Sequence, residues 1–215
     1  MRVLVTGGNS TLGKAICQVF VSHGWEVLKT SRSGVDSIKL DLEKPFDADS
    51  FLKEVGAIDV LVNNAGIFTE GLQKNLPLSD FEHVFAINME GLFKVTKALL
   101  PVLEKRNGSI VNISSINAIH PGFGMTAHYD ASKGAVSAYT ASLAVETGLR
   151  VNAVAPGLLQ SQRLEGSELE RRWMEHSVKR EMVDSQAVAD TVFFLATSQG
   201  IYGQTIIVDN GYLLK

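Results

Sequence analysis

The chain has 215 residues but only one cysteine, Cys17, so a disulfide cannot form within it. No apolar stretch approaches the roughly 20 residues that cross a bilayer, which argues against a membrane-spanning helix. The five histidines show no metal-ligand spacing, and we expect no metal site. A single thiol fits a reducing compartment, and the strand pattern begins at residue 2 with no signal peptide before it. These features predict a cytoplasmic protein.

Strong net charge of either sign is also missing. Lys and Arg number 20 and Asp and Glu number 23, which gives a net charge of −3 at pH 7. The chain therefore has no basic field that would attract nucleic acid or an anionic membrane. Hydrophobic residues make up 45% of the chain, enough for a substantial core. No repeat or linker divides the sequence, and we assign 1–215 to a single domain.

Apolar strand-like segments alternate with helical segments along the whole chain. This alternation predicts an α/β fold with a parallel sheet and helices on both faces. The spacing of the segments does not reveal the strand order. The predicted strands are 2–6, 26–30, 37–40, 59–63, 109–114, 150–154 and 205–208, and the predicted helices are 11–23, 47–55, 79–105, 129–147 and 185–197.

The connection between the second and third predicted strands is unusually short. Only residues 31–36 separate them, whereas a crossover helix needs about a dozen residues or more. Six extended residues still span about 20 Å, enough to return to the start of a neighbouring strand. The sequence therefore predicts a loop here and a thinly covered sheet edge.

A glycine-rich turn separates the first predicted strand from the first predicted helix. Residues 7–13 read Gly-Gly-Asn-Ser-Thr-Leu-Gly. Glycine lets the backbone approach a phosphate group, and the following helix offers free N–H groups and the positive end of its dipole. This context favours a nucleotide-binding loop.

A second group of residues favours proton transfer. Tyr129 and Lys133 are four residues apart, which places both on one face of a helix. Ser115 ends the strand-like run just upstream. Because an isolated phenol has a pKa of about 10, we expect the Lys133 ammonium to lower the pKa of Tyr129 towards the working range.

Together with further motifs, these residues resemble the short-chain dehydrogenase/reductase family over essentially the whole chain. The resemblance implies a doubly wound Rossmann fold with seven parallel strands in the order 3-2-1-4-5-6-7. Thr11 departs from the family pattern, which has glycine at the point where the backbone approaches the pyrophosphate. The matching motifs are Thr6-Gly7 with Gly13, Asp41-Leu42, Asn63-Asn64-Ala65-Gly66, the tetrad Asn88, Ser115, Tyr129 and Lys133, and Pro156-Gly157.

The resemblance also implies residue roles. Ser115 would donate to a substrate carbonyl, Tyr129 would transfer the proton, Lys133 would tune Tyr129 and bind the ribose, and Asn88 would hold a water in a proton relay. The implied cofactor-binding residues are Gly7, Asn9, Ser10, Leu12, Gly13, Ser31, Arg32, Asp41, Leu42, Asn64, Ala65, Gly66, Tyr129, Lys133, Pro156, Gly157, Leu158 and Ser161.

Cofactor preference depends on the end of the second predicted strand. In family members that prefer NAD, an acidic residue there binds the ribose 2′-hydroxyl, but the stretch 29–33 reads Lys-Thr-Ser-Arg-Ser. A carboxylate would repel a 2′-phosphate, whereas the Arg32 guanidinium would bind it. We therefore expect NADP(H) to be preferred, with NAD(H) possible.

The implied function is NADP(H)-dependent hydride transfer between the nicotinamide and a carbonyl or secondary alcohol, with tyrosine as the general acid/base. The alternatives are an NAD(H)-linked dehydrogenase of the same fold and a non-catalytic NADP-binding regulatory protein. Regulators of this kind commonly lose the tyrosine or the lysine, and this chain has both.

The resemblance assigns segment 158–184 to a substrate lid, in which Trp173 and Met174 would contact the substrate. The alternative for the charged residues of this segment is a solvated surface helix. A partly apolar substrate pocket is expected to be bordered by His120, Phe123, Met125 and His128.

Family members form dimers and tetramers by pairing their two long helices. The second of these, predicted at 129–147, carries small residues that would allow close approach of a partner helix. We therefore expect a homodimer or a homotetramer. The small residues are Ala131, Ala135, Ala138, Ala141 and Ala144.

Overall fold

The computed structural model describes residues 1–45, 47–122, 124–161 and 164–215, and within them the strands form one parallel sheet. The strand order is 3-2-1-4-5-6-7, which confirms the expected doubly wound topology. The strands are β1 (Arg2–Val5), β2 (Glu26–Ser31), β3 (Ile38–Lys39), β4 (Val60–Asn63), β5 (Ser109–Ile113), β6 (Arg150–Pro156) and β7 (Thr205–Val208).

Helices cover both faces of the sheet. Alternate residues of β1 show why its sequence is apolar throughout. Val3 and Val5 face the core under α1 and α7, while Leu4 faces the core under α2, α4 and α5. The helices are α1 (Thr11–Ser22), α2 (Ala48–Val55), α3 (Leu78–Phe85), α4 (Leu92–Lys105), α5 (Ala127–Thr147), α6 (Glu168–His176) and α7 (Ser185–Thr197). Within the described ranges, no helix combines the length and apolarity that crossing a membrane requires.

The helix predicted over 79–105 is interrupted by a π-helical segment, Ala86–Gly91. This segment joins α3 to α4 and contains Asn88, one of the predicted catalytic residues. π-Segments of one or two turns often occur at functional sites, because the extra residue re-aims side chains on the helix. Hydrophobic spacing predicted the helix but not this change of hydrogen-bonding pattern.

The connection between β2 and β3 is a loop, as expected. β3 has only two residues, and they pair with the end of β2, at Thr30 and Ser31. The Ser31 hydroxyl lies 2.6 Å from that of Ser37 and accepts a bond from the Gly34 N–H at 3.1 Å. These bonds fold the loop back over the end of β2, beside the glycine-rich turn.

Candidate active site

The glycine-rich turn has the close backbone packing of a phosphate cradle. Gly7 has a φ of +63°, a conformation that glycine adopts without strain. A β-carbon on Gly13 would lie 2.3 Å from the Gly7 carbonyl oxygen, so a side chain cannot fit there. Ser10 caps α1 by accepting the Gly13 N–H at 3.0 Å. Thr11 is therefore the first residue of α1 and not its cap.

The ends of β1 and β4 are tied together next to this turn. The Thr6 hydroxyl accepts the backbone N–H groups of Asn64 and Ala65, each at 3.0 Å. In return, the Asn64 side-chain amide donates to the carbonyl oxygens of Thr6 and Gly7, at 2.9 and 3.1 Å. These hydrogen bonds of Asn64 therefore fix the start of the glycine-rich turn against the end of β4.

A cleft of about 290 Å³ opens beside the turn at the carboxyl ends of the strands. The structure brings together here most of the predicted cofactor-binding residues from the first half of the chain. These are Gly7, Asn9, Ser10, Ser31, Arg32, Asp41, Leu42, Asn64, Ala65 and Gly66. Further lining residues were missed by the sequence analysis, namely Thr30, Leu40, Glu43, Ile67 and Ile87.

Other predicted cofactor-binding residues lie elsewhere. The Leu12 side chain is buried in the core under α1, so only its backbone faces the turn. Pro156 and Leu158 flank Gly157, where a β-carbon would lie 2.3 Å from the Trp173 ring. Ser161 lines a separate opening with Thr11 and Met174. The tetrad residues Tyr129 and Lys133 lie on α5, outside the lining of the 290 Å³ cleft.

Three of the four tetrad residues are joined by local contacts at the end of β5. Ser115 follows β5, and its hydroxyl acts to lower the pKa of Tyr129, which lies on the first turn of α5. Lys133, one turn later, donates from Nζ to the Ile113 carbonyl oxygen at 2.9 Å. The same ammonium lies 5.8 Å from the centroid of the Tyr129 ring.

The pKa of Tyr129 is raised to about 12, mainly because burial penalises the phenolate. The hydrogen bond with Ser115 acts in the opposite direction, and the negative charge of Asp130 adds to the rise. Lys133, which was expected to lower this pKa, is not among the causes of the shift, and its ammonium donates to the Ile113 carbonyl. Tyr129 therefore holds its proton at neutral pH.

Burial shifts the pKa of Lys133 in the opposite direction. Its side chain is buried, and burial lowers its pKa from 10.5 to about 8. The carbonyl bond partly replaces the hydration that the charge loses, but no carboxylate is among the causes of the shift. Keeping Lys133 charged in the folded protein therefore lowers the free energy of unfolding.

Asn88 is held in place by its own protein contacts. Its Oδ1 accepts the Ile67 N–H at 2.8 Å, and its Nδ2 donates to the Ile67 carbonyl and to the Ser132 hydroxyl, both at 3.0 Å. Both amide hydrogens are therefore used, and the side chain clamps the loop after β4 to α5. The expected role as a water holder does not account for these contacts.

Asp130, which the sequence analysis missed, holds the loop between β5 and α5. Its carboxylate accepts from Asn117 Nδ2 at 2.7 Å, and from the Gly122 N–H and the Thr126 hydroxyl at 3.1 Å each. Asn117 in turn donates its backbone N–H to Ser115 Oγ at 3.2 Å. The residue after Tyr129 therefore fixes the position of Ser115. No sequence pattern indicated this role of Asp130, because the residues that it binds lie up to 13 positions away along the chain.

The segment predicted as a lid carries α6 and is anchored by a bridge between Leu159 and Val183. Trp173 was expected to contact the substrate. It is instead 1% exposed and stacks on Tyr212, with ring centroids 4.2 Å apart. Met174 is half-buried and borders the opening beside Thr11 and Ser161. Most residues of α6 are charged, so the sequence pattern did not indicate that Trp173 is buried.

A pocket of about 490 Å³ lies between the β5–α5 loop and α6. His120, which was expected to border a substrate pocket, lines this one together with Arg172, His176 and Tyr212. His128 does not border it: this side chain is 2% exposed, and its Nε2 lies 2.7 Å from the Thr69 hydroxyl. Met125 is exposed on the same loop, and Phe123 lies outside the described residues.

The fold and the site together define a dinucleotide-binding oxidoreductase of the α/β class. A family model described as enoyl-(acyl carrier protein) reductase matches residues 7–213. The chain is 34% identical to the 3-oxoacyl-(acyl-carrier-protein) reductase FabG of Thermotoga maritima, over 98% of this chain and 97% of that one. It is 33% identical to the 2-(R)-hydroxypropyl-CoM dehydrogenase of Xanthobacter autotrophicus, over 97% of each. The chain belongs to the short-chain dehydrogenase/reductase family and is an enzyme of that family.

Solved structures agree with this assignment. The ligand-free aldohexose dehydrogenase of Thermoplasma acidophilum superposes with a TM-score of 0.90 and is 29% identical, covering 100% of this chain and 94% of that one. ElxO with NADP bound superposes with a TM-score of 0.87 and is 30% identical, covering 100% and 99%. The relatives therefore share the fold while differing in the substrates that their names state.

The buried Lys133 predicts a particular dependence of stability on pH. Between pH 8 and 10.5 the unfolded chain holds a proton that the folded chain has released, so the free energy of unfolding rises with pH. The stabilisation is complete above pH 10.5 and is lost as the pH falls through about 8. In Lys133→Met this contribution disappears. The difference in unfolding free energy between the native protein and the variant should rise by about 2 kcal/mol from pH 8 to pH 10.

Urea unfolding at several pH values measures this difference. Lys105→Met, which removes an exposed lysine from the end of α4, controls for the loss of one titrating amine. Parallel curves for the native protein and Lys133→Met would show that Lys133 does not titrate abnormally.

Proposed function

We propose that the protein transfers hydride between NADP(H) and a carbonyl or secondary-alcohol substrate, with Tyr129 as the proton donor and acceptor. The observation that carries this proposal is the convergence of Ser115, Tyr129 and the buried Lys133 at the end of β5, with Lys133 Nζ 5.8 Å from the centroid of the Tyr129 ring, at the same sheet edge as the glycine-rich turn. The relatives named above act on different substrates, so the proposal names the functional group and not a metabolite.

The residues at the sheet edge fit a nicotinamide dinucleotide. The backbone of Gly7 and Gly13 packs so closely that side chains there would fill the cradle, as a pyrophosphate site requires. The cleft lined by Ser31, Asp41 and Ala65 would hold the adenosine half. When bound, the nicotinamide supplies or accepts the hydride.

The chain's own residues would carry out the proton chemistry. Ser115 would donate a hydrogen bond to the substrate oxygen, and Tyr129 would deliver its proton there as negative charge develops. A tyrosine whose pKa is about 12 keeps that proton at neutral pH until a strongly basic oxygen forms. Lys133 would place a positive charge 5.8 Å from the ring and stabilise the phenolate left behind.

Arg32 supports a preference for NADP(H). It lines the cleft beside Ser31 and has a side chain that is 75% exposed, so the guanidinium can move to meet a 2′-phosphate. The non-catalytic alternative, a regulator that binds NADP, is less well supported, because Tyr129 and Lys133 are both present and lie close together at the end of β5.

The exposed surface of α4 and α5 supports the proposal of a homodimer or homotetramer. Ala131, Ala138 and Val145 follow one another along an exposed face of α5, and Phe93 on α4 is 43% exposed. Of the small residues expected to mediate pairing, Ala144 is buried against the chain's own core. The others remain accessible for a partner helix.

Substitution of Tyr129 tests the proposed chemistry. Tyr129→Phe keeps the ring and its edge-to-face contact with Phe68 but removes the proton donor. We expect kcat to fall by about 10²–10⁴-fold, with cofactor affinity nearly unchanged. The measurement is NADPH oxidation with a panel of ketones, aldehydes, quinones and 3-oxoacyl thioesters. Near-native turnover in the variant would remove Tyr129 from its role.

Substitution of Arg32 tests the cofactor preference. Arg32→Ala should weaken NADPH binding by about 1.5–3 kcal/mol, or roughly tenfold to a hundredfold, because a charge-assisted contact to the 2′-phosphate is lost. NADH binding should change little. Lys53→Ala, an exposed lysine on α2, is the matched control for the change in net charge. Equal losses for both cofactors would show that Arg32 does not read the 2′-phosphate.

Light scattering tests the assembly. We expect a dimeric or tetrameric mass at micromolar concentration, and a lower mass for Ala138→Arg, because a two-fold interface would contain the new charge twice. Val21→Arg, at an exposed position of α1, controls for the added charge. A native mass near 23.3 kDa, that of one chain, would contradict this proposal and leave the catalytic one intact.

A further inference from the structure

An acidic side chain lies beside Arg32 in the cleft, although the end of β2 itself carries no acidic residue. Glu43 lines the same cleft as Ser31 and Arg32, although it follows β3 and not β2. Its Oε2 lies 3.9 Å from Nη1 of Arg32. The cation available to a 2′-phosphate therefore has a carboxylate beside it.

The carboxylate of Glu43 is held in this position. Its Oε1 lies 2.7 Å from Nδ1 of His83 on α3, and its backbone N–H donates to Asp41 Oδ1 at 3.2 Å. The Glu43 side chain is 37% exposed, half as much as that of Arg32 at 75%. Arg32 is thus free to move away from the pair, while Glu43 has a second contact that keeps it facing the cleft.

The parallel pairing of β3 with β2 explains how Glu43 comes to this place. The Leu40 N–H donates to the Ser31 carbonyl oxygen at 2.9 Å, which sets the turn after β3 against the end of β2. Where β2 would carry an acidic residue in a protein that binds NAD, this chain offers one from the turn after the neighbouring strand.

We propose that Glu43 is a specificity-determining residue that restrains the preference for NADP(H) and supports binding of NAD(H). Its carboxylate accepts hydrogen bonds from the adenosine ribose hydroxyls of NAD(H) and repels the 2′-phosphate of NADP(H). Arg32 acts in the opposite sense, so the pair sets the balance between the two cofactors. This inference rests on the proposed function, because it concerns the same cofactor cleft.

Glu43→Gln tests the inference, because it removes the charge and keeps the size of the side chain and a carbonyl oxygen for His83. Titration of the purified protein with NADPH and with NADH, followed by nucleotide fluorescence, gives both dissociation constants. We expect binding of NADPH to become about tenfold tighter and binding of NADH to become several-fold weaker. A merely structural role would not move the two constants in opposite directions.

Glu82→Gln is the matched control. It changes the net charge by the same amount at an exposed position of α3, next to His83. Unchanged constants in Glu43→Gln, shifts in the same direction for both cofactors, or the same shifts in Glu82→Gln would overturn the inference. A native protein that binds neither nucleotide would instead contradict the proposed function, so the two failures are distinguishable.

Discussion

The ammonium of Lys133 lies in the interior and donates to the Ile113 carbonyl at 2.9 Å. Several elements are positioned around it. A β-carbon on Gly66 would lie 3.4 Å from Nζ and 3.1 Å from Oδ1 of Asn88, so the loop after β4 passes close to both. Asn88 binds that loop and Ser132 of α5. Burying one charge at this edge therefore requires β4, β5, α5 and the π-helical segment to keep one arrangement.

The same burial has opposite effects on the two titrating groups of the site. It raises the pKa of Tyr129 to about 12 and lowers that of Lys133 to about 8, because the charged form of each is disfavoured. In the proposed reaction, a neutral phenol would donate its proton to a developing alkoxide, and the nearby ammonium would stabilise the phenolate that is left. Asp130 fixes the loop that carries Ser115 without touching the reacting atoms, which assigns it a positioning role.

The pairing of β3 with β2 places two opposite charges in the proposed cofactor cleft. Because β3 pairs in parallel with β2, the turn after β3 lies beside the end of β2, and Glu43 lines the cleft that Arg32 also lines. The proposed balance between NADP(H) and NAD(H) depends on these two charges, because the two cofactors differ by the 2′-phosphate alone.

Local patterns in the sequence determined the strands, most helix boundaries and the loop at 31–36, because side-chain periodicity and segment length act over a few residues. The tetrad, the glycine-rich turn and the family were also recognisable from order and spacing. Only the tertiary structure decided that Trp173 is buried, that Glu43 meets Arg32, and that burial raises the pKa of Tyr129. These depend on groups that are distant along the chain and close in space, and a linear pattern does not contain desolvation or the distance between two charges.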